Sequence, residues 1–168
     1  MLRESLSQRP ERSPAVAQRD ARSLLRVAWA SSESTAYFCR FVSGYANTAF
    51  AAVTAGRVTL ASRELLENAL RYSLMMHEIT YELSATRTEV RVSVQNRTIS
   101  SRVEVLRAQL KRIQEDPQRA YAQELERSKS STGRRAMLGL VRICHEADMT
   151  LRASVDGSSV LLAASCRR

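Results

Sequence analysis

The sequence predicts an α+β protein, a two-layer sandwich with one mixed, mostly antiparallel sheet and helices over one face. Three observations carry that expectation. Two stretches read as hairpins: residues 78–96 alternate apolar and polar residues at period two around ATRT, with one face on a core, and residues 149–165 turn at Asp156–Gly157. Five other stretches repeat apolar residues at helical spacing. No apolar run approaches the roughly 18 residues of a membrane span, so strands and helices must cover one another in water.

Along the chain, residues 24–30 (LLRVAWA) form an apolar first strand, followed by the polar SSES. Phe38, Phe41, Val42, Tyr45 and Ala49 then fall at helical spacing, with Ser32 or Ser34 as the N-cap. Residues 52–61 (AVTAGRVTLA) are expected as a connection, and a second helix covers residues 62–77. Ile79, Tyr81 and Leu83 alternate, as do Val90, Val92 and Val94, with ATRT between them as the reversal. Val103, Leu106, Leu110 and Ile113 restore a helical stripe. Glu115–Asp116–Pro117 breaks it, and Tyr121 and Leu125 mark a further short helix. SKSSTG, residues 128–133, reads as a loop. Met137, Leu140, Val141 and Cys144 mark the last helix, and residues 149–165 close the chain as a hairpin around Asp156–Gly157. The expected order is β-α-α-β-β-α-α-α-β-β.

At 168 residues, 44% hydrophobic and 26% charged, the chain suits one globular domain. Residues 1–20 are polar, carry Pro10 and Pro14 and lack the apolar centre of a secretory signal. They are read as a flexible tail before a domain over residues 21–168, and a cytoplasmic location is expected. Cys39, Cys144 and Cys166 are odd in number and far apart, which speaks against a disulfide framework or a zinc site. Two are expected to be buried and the third to lie near a frayed C-terminus. His77 and His145 are too few for a His-based metal site. The net charge of +9 is uneven, because residues 97–142 hold 11 basic and 5 acidic side chains. That segment suits a phosphate-bearing ligand or an acidic protein. Nucleic acid is the weaker partner class, since aromatics are 5% of the chain and do not interleave with the arginines.

Within SRELLENALRYS, residues 62–73, Tyr72, Leu65, Ala69, Leu66 and Leu70 share one helical arc with Met76. Glu64 and Asn68 project side by side at its border. A carboxylate and an amide there suit a divalent cation or a deprotonation, Arg71 suits a phosphate, and Tyr72 offers a ring to a base. A solvated face with a plain Glu67–Arg71 pair explains the same spacing, so spacing alone leaves both readings open.

ELLENALRYS resembles the N box of the GHKL (histidine-kinase-like) ATPase superfamily, whose fold is the Bergerat-type sandwich. The resemblance implies Glu64 as catalytic base, Asn68 as Mg²⁺ ligand, Arg71 as phosphate contact and Tyr72 as adenine cover. GRRAMLGLVRI is similar to the G2 box, which implies nucleotide contacts from Gly133, Arg134 and Gly139, with Arg135 beside them. The G1 box, Asp-x-Gly-x-Gly, is missing. Asn96 stands near its aspartate and lacks its charge, and no glycine follows in QNRTISS. Most of the chain is similar to small stand-alone bacterial regulators of the SiaB type, with a helical insert over residues 101–127 in place of an ordinary ATP lid. That implies a Ser/Thr protein kinase using ATP and Mg²⁺ in a partner-switching circuit. Its partner would resemble an anti-sigma-factor antagonist, and a homodimer is possible by analogy. The missing G1 aspartate favours a second reading, a GHKL fold that acts through protein–protein contact without nucleotide. DNA binding comes third, and would require affinity that falls with salt.

Overall fold

The structure, a computed structural model, describes residues 21–29, 35–74, 79–130 and 136–168. Its elements follow the expected order: β1 (Arg22–Trp29), α1 (Thr35–Ala49), α2 (Ala52–Tyr72), β2 (Ile79–Ala85), β3 (Glu89–Arg97), α3 (Ser100–Glu115), α4 (Pro117–Ser130), α5 (Ala136–His145), β4 (Thr150–Asp156) and β5 (Ser159–Arg167). The strands form one sheet in the order β1-β2-β3-β5-β4. All four pairings are antiparallel, so the sheet contains no parallel step. Two helices lie between β1 and β2 and three between β3 and β4, while β2–β3 and β4–β5 are tight hairpins.

Period two sets which strand residues face the helices. Ile79, Tyr81 and Leu83 of β2, Val90, Val92 and Val94 of β3, and Val160, Leu162 and Ala164 of β5 are all buried. In register, Tyr81 lies opposite Val94 and Val92 opposite Ala164, so the inward rows stack across the sheet. Helix α2 lies on this surface with Ala55, Val58, Ala61, Leu65, Leu66 and Ala69 inward. Each fully buried leucine there contributes about 1.5–3 kcal/mol. The Tyr81 hydroxyl is buried with its ring and meets Ser62 Oγ at 2.9 Å, while Ser62 Oγ donates to the Val58 carbonyl at 2.7 Å. The polar tip is thereby satisfied inside the core.

Residues 52–61 are three turns of α2, where a connection was expected. Val53, Thr54, Val58 and Thr59 are β-branched and Gly56 is flexible, so local propensity is poor there. Burial of Thr54, Ala55, Val58, Ala61 and Ser62 at helical spacing overrides it. The same helix stops at Tyr72, short of the expected end, because Ser73 turns extended and other elements take its last carbonyls. His77 and Met76 lie outside the described residues, as do residues 1–20, Ser32 and Ser34. Ser128–Ser130, expected in a loop, belong to α4, and the rest of SKSSTG is outside the described residues. Asp116 starts α4 as expected for an acidic residue before Pro117: its Oδ1 accepts from the Arg119 N–H at 2.9 Å. Cys166, expected near a frayed end, is buried in β5 opposite Val90, while Cys39 and Cys144 are half-buried. Burial pushes all three thiols up in pKa. Gly157, at φ +56°, makes the last hairpin turn that Asp156–Gly157 announced.

Replacing Leu65, which is fully buried where α2 meets the sheet, tests this packing. Leu65→Ala is expected to lower the unfolding free energy by about 2–5 kcal/mol in urea titrations, with the circular dichroism spectrum unchanged.

Candidate functional site

Glu64, Asn68 and Tyr72 follow one another at steps of four along α2, yet the structure sends them to two places. Asn68 and Tyr72 line a cavity of about 160 Å³ between α2, the end of β3, α3 and β5. Asn96 is there as well, so three of the residues named from sequence converge on one hollow. Four residues that the sequence did not single out for function complete the α3 wall: Arg102, Val105, Leu106 and Gln109. Thr98 and Val160 close the rest. Helix α3, the first half of the predicted insert, thus forms the roof. Gln109 carried a signal of its own, a polar residue beside the apolar stripe of α3 that is 4% exposed.

The polar groups around the cavity hold the end of α2. Asn96 Nδ2 donates to the Ala69 carbonyl at 3.3 Å, and the Thr98 hydroxyl donates to the Tyr72 carbonyl at 2.7 Å. Arg102 Nη1 donates to the same Tyr72 carbonyl at 3.1 Å, and its guanidinium carbon sits 5.5 Å from the Tyr72 ring centre. These bonds satisfy carbonyls that a helix end leaves open. Asn96 therefore spends its donor on the fold and retains its oxygen as an acceptor.

Glu64 is 8% exposed and does not line the cavity. It faces α5, where Arg142 Nη1 donates to its Oε1 at 2.5 Å. Its Oε2 lies so close to Gly139 that a Cβ there would collide with it. Gly139, named from sequence as a nucleotide contact, in this structure makes room for a carboxylate. Arg142 turns its other edge to Glu146, with Nε 3.0 Å from both carboxylate oxygens and Nη2 2.9 Å from Oε2. Burial raises the Glu64 pKa, and Arg142 only partly offsets it. Arg142 holds Glu146 below the ordinary range. Arg142 and Glu146 escaped sequence reading because an i,i+4 ion pair on a helix face is commonplace.

Arg71 is exposed and takes no part in lining the cavity. Gly133, Arg134 and Arg135 lie outside the described residues. Among the described residues no three His, Cys, Asp or Glu side chains gather to hold a metal, and no helix is long and apolar enough to cross a membrane. A cation at Asn68 would have one protein oxygen and would need the rest from phosphates and water, which suits Mg²⁺.

No family model and no curated protein sequence matches the chain. Solved structures do. A chain of the SiaB–SiaC complex from Pseudomonas aeruginosa matches with a TM-score of 0.63 at 16% identity, over 92% of this chain and 95% of that one. The two chains share a fold.

Two outcomes follow from the α2–α5 contact. Gly139→Ala is expected to destabilise by about 1–3 kcal/mol in urea titrations, and most of that loss should vanish in the Glu64→Ala background, where the collision is gone. The pH dependence has two opposed parts. Glu146, depressed below its ordinary 4.5, contributes stability that is present above that value and lost as pH falls through its folded pKa. The raised Glu64 contributes in the opposite sense, with stability lost as pH rises through its folded pKa. Urea midpoints measured from neutral pH into acid should therefore fall less steeply in Glu146→Gln than in the parent.

Proposed function

We propose that this chain is a bacterial, cytoplasmic regulatory protein of the SiaB type that acts on a protein partner, binding Mg·ATP beside α2 and phosphorylating a Ser or Thr. The observation that carries the reading is the convergence of Asn68, Tyr72 and Asn96 on one cavity, within a fold shared with a chain of the SiaB–SiaC complex. That complex gives the reason to expect a protein partner, and an anti-sigma-factor-antagonist-like protein is the kind proposed.

The cavity suits a base better than a whole nucleotide. At about 160 Å³ it falls below the roughly 300–1,000 Å³ of typical small-molecule sites, so it has room for a ring system while the phosphates lie outside. Tyr72, Val105, Leu106 and Val160 supply flat and apolar contact, and the free oxygen of Asn96 accepts from an amino group. Asn68 is the residue that would hold Mg²⁺. Bound Mg·ATP supplies the phosphoryl group and the cation that offsets its charge. Glu64, whose pKa burial raises toward that of a working base, takes the proton of the incoming hydroxyl. To do so it must leave Arg142 and turn toward Asn68.

That requirement favours a second reading: a nucleotide-free module acting by protein contact, with Arg142 and Gly139 covering both oxygens of Glu64 for good. Calorimetry separates the two. Mg·ATP titrated into the parent is expected to bind with micromolar affinity, and Asn68→Ala should abolish the heat. No heat in the parent would leave the module as the reading.

A further inference from the structure

Arg142 does not stand alone beside Glu64. Glu146, which grips it from the other side, also accepts a hydrogen bond at 3.1 Å from the hydroxyl of Tyr121 on α4. The Tyr121 ring lies on the imidazole of His145, with centres 4.2 Å apart and planes 24° from parallel. An unbroken chain of side chains therefore runs from α4 through Tyr121, Glu146 and Arg142 to Glu64. Its links are a phenol–carboxylate bond, a two-pronged ion pair and a charge-assisted bond to a buried carboxylate. Three of its members lie on or just beyond α5, or on α2, and only Tyr121 comes from the insert.

We infer that Tyr121, Glu146 and Arg142 are positioning residues that tie the carboxylate of Glu64 to the docking of helix α4. With α4 in place, Glu146 fixes the guanidinium plane, and the guanidinium holds Glu64 against Gly139 and away from the cavity. Moving α4 removes the Tyr121 bond and leaves Glu146 Oε1 to Arg142 Nε alone, so the carboxylate is free to turn and the guanidinium to swing with it. A guanidinium is planar and rigid, so a swing that follows Glu146 breaks its alignment with Glu64. A protein partner that engages the insert could thereby release the candidate base without touching it. The consequence for catalysis rests on the reading of Glu64 as base, whereas the mechanical coupling does not.

The test reads the coupling directly. Protein carrying ¹³C at glutamate Cδ gives a Glu64 carboxyl signal, assigned by its loss in Glu64→Gln. The Arg142 Nε–H signal is assigned by its loss in Arg142→Gln. Tyr121→Phe keeps the ring on His145 and removes only the hydroxyl. It is expected to shift the Glu64 signal and to speed exchange of the Arg142 Nε–H by roughly tenfold, the scale of one lost hydrogen bond. Arg142→Gln should displace the Glu64 signal further. If Tyr121→Phe leaves both signals in place while Arg142→Gln moves Glu64, the chain of influence stops short of α4 and the inference is overturned. It is equally overturned if Arg142→Gln does not move Glu64. These signals are measured without nucleotide, so absence of Mg·ATP binding would remove the kinase reading and leave this result standing.

Discussion

Glu64 lies on the buried flank of the helix at the centre of the domain, where its carboxylate has lost almost all contact with water. Such a group needs a counter-charge or a proton, and the local arrangement is built around that need. Arg142 supplies the charge while its own side chain stays one-third exposed, so one cation links the core to solvent. Glu146 balances the far edge of the guanidinium, and the missing side chain at Gly139 lets α5 come close. The contact fixes how α5 sits on α2. Because α2 is continuous, it also fixes Asn68 and Tyr72 one and two turns further on.

The roof of the cavity follows a different logic. Helix α3 brings Val105 and Leu106 over Tyr72 and Val160, which is ordinary apolar cover. Its first turn brings Arg102, the strand before it brings Asn96, and Thr98 follows that strand; the donors of all three serve carbonyls of α2. Glycines that would let a backbone wrap phosphate are absent at this point of the sequence. The side chains that stand there anchor a helix instead. The hollow is accordingly small and mostly apolar in character, closer to a ring pocket than to a phosphate cradle.

Much of this was legible in the chain. Period-two alternation gave β2 and β3 their inward faces, and the element order matched, because both depend on local pattern alone. The start of α2 was hidden, since Gly56 and four β-branched residues argue against a helix that only burial stabilises. Asn68 and Tyr72, named through helical spacing and resemblance, and Asn96, named through resemblance alone, line the same cavity. Glu64 was named by spacing and resemblance too, but its direction was not legible, for no spacing rule reveals that a residue 78 positions away will claim its oxygen. Arg102, Gln109, Arg142 and Tyr121 acquire meaning only when α3 and α5 come against α2 and α4 packs on α5. Long-range contacts of that kind leave no periodic trace.

The final carbonyl of α2 is bonded twice, by Thr98 and by Arg102, and Arg102 also covers the Tyr72 ring. Opening the hollow by lifting α3 must pull Arg102 off that carbonyl. Thr98 precedes α3 and keeps its bond, so the last turn of α2 stays anchored on one side while its roof moves. A guest that offers its own donor to that carbonyl would restore the bond that Arg102 gives up.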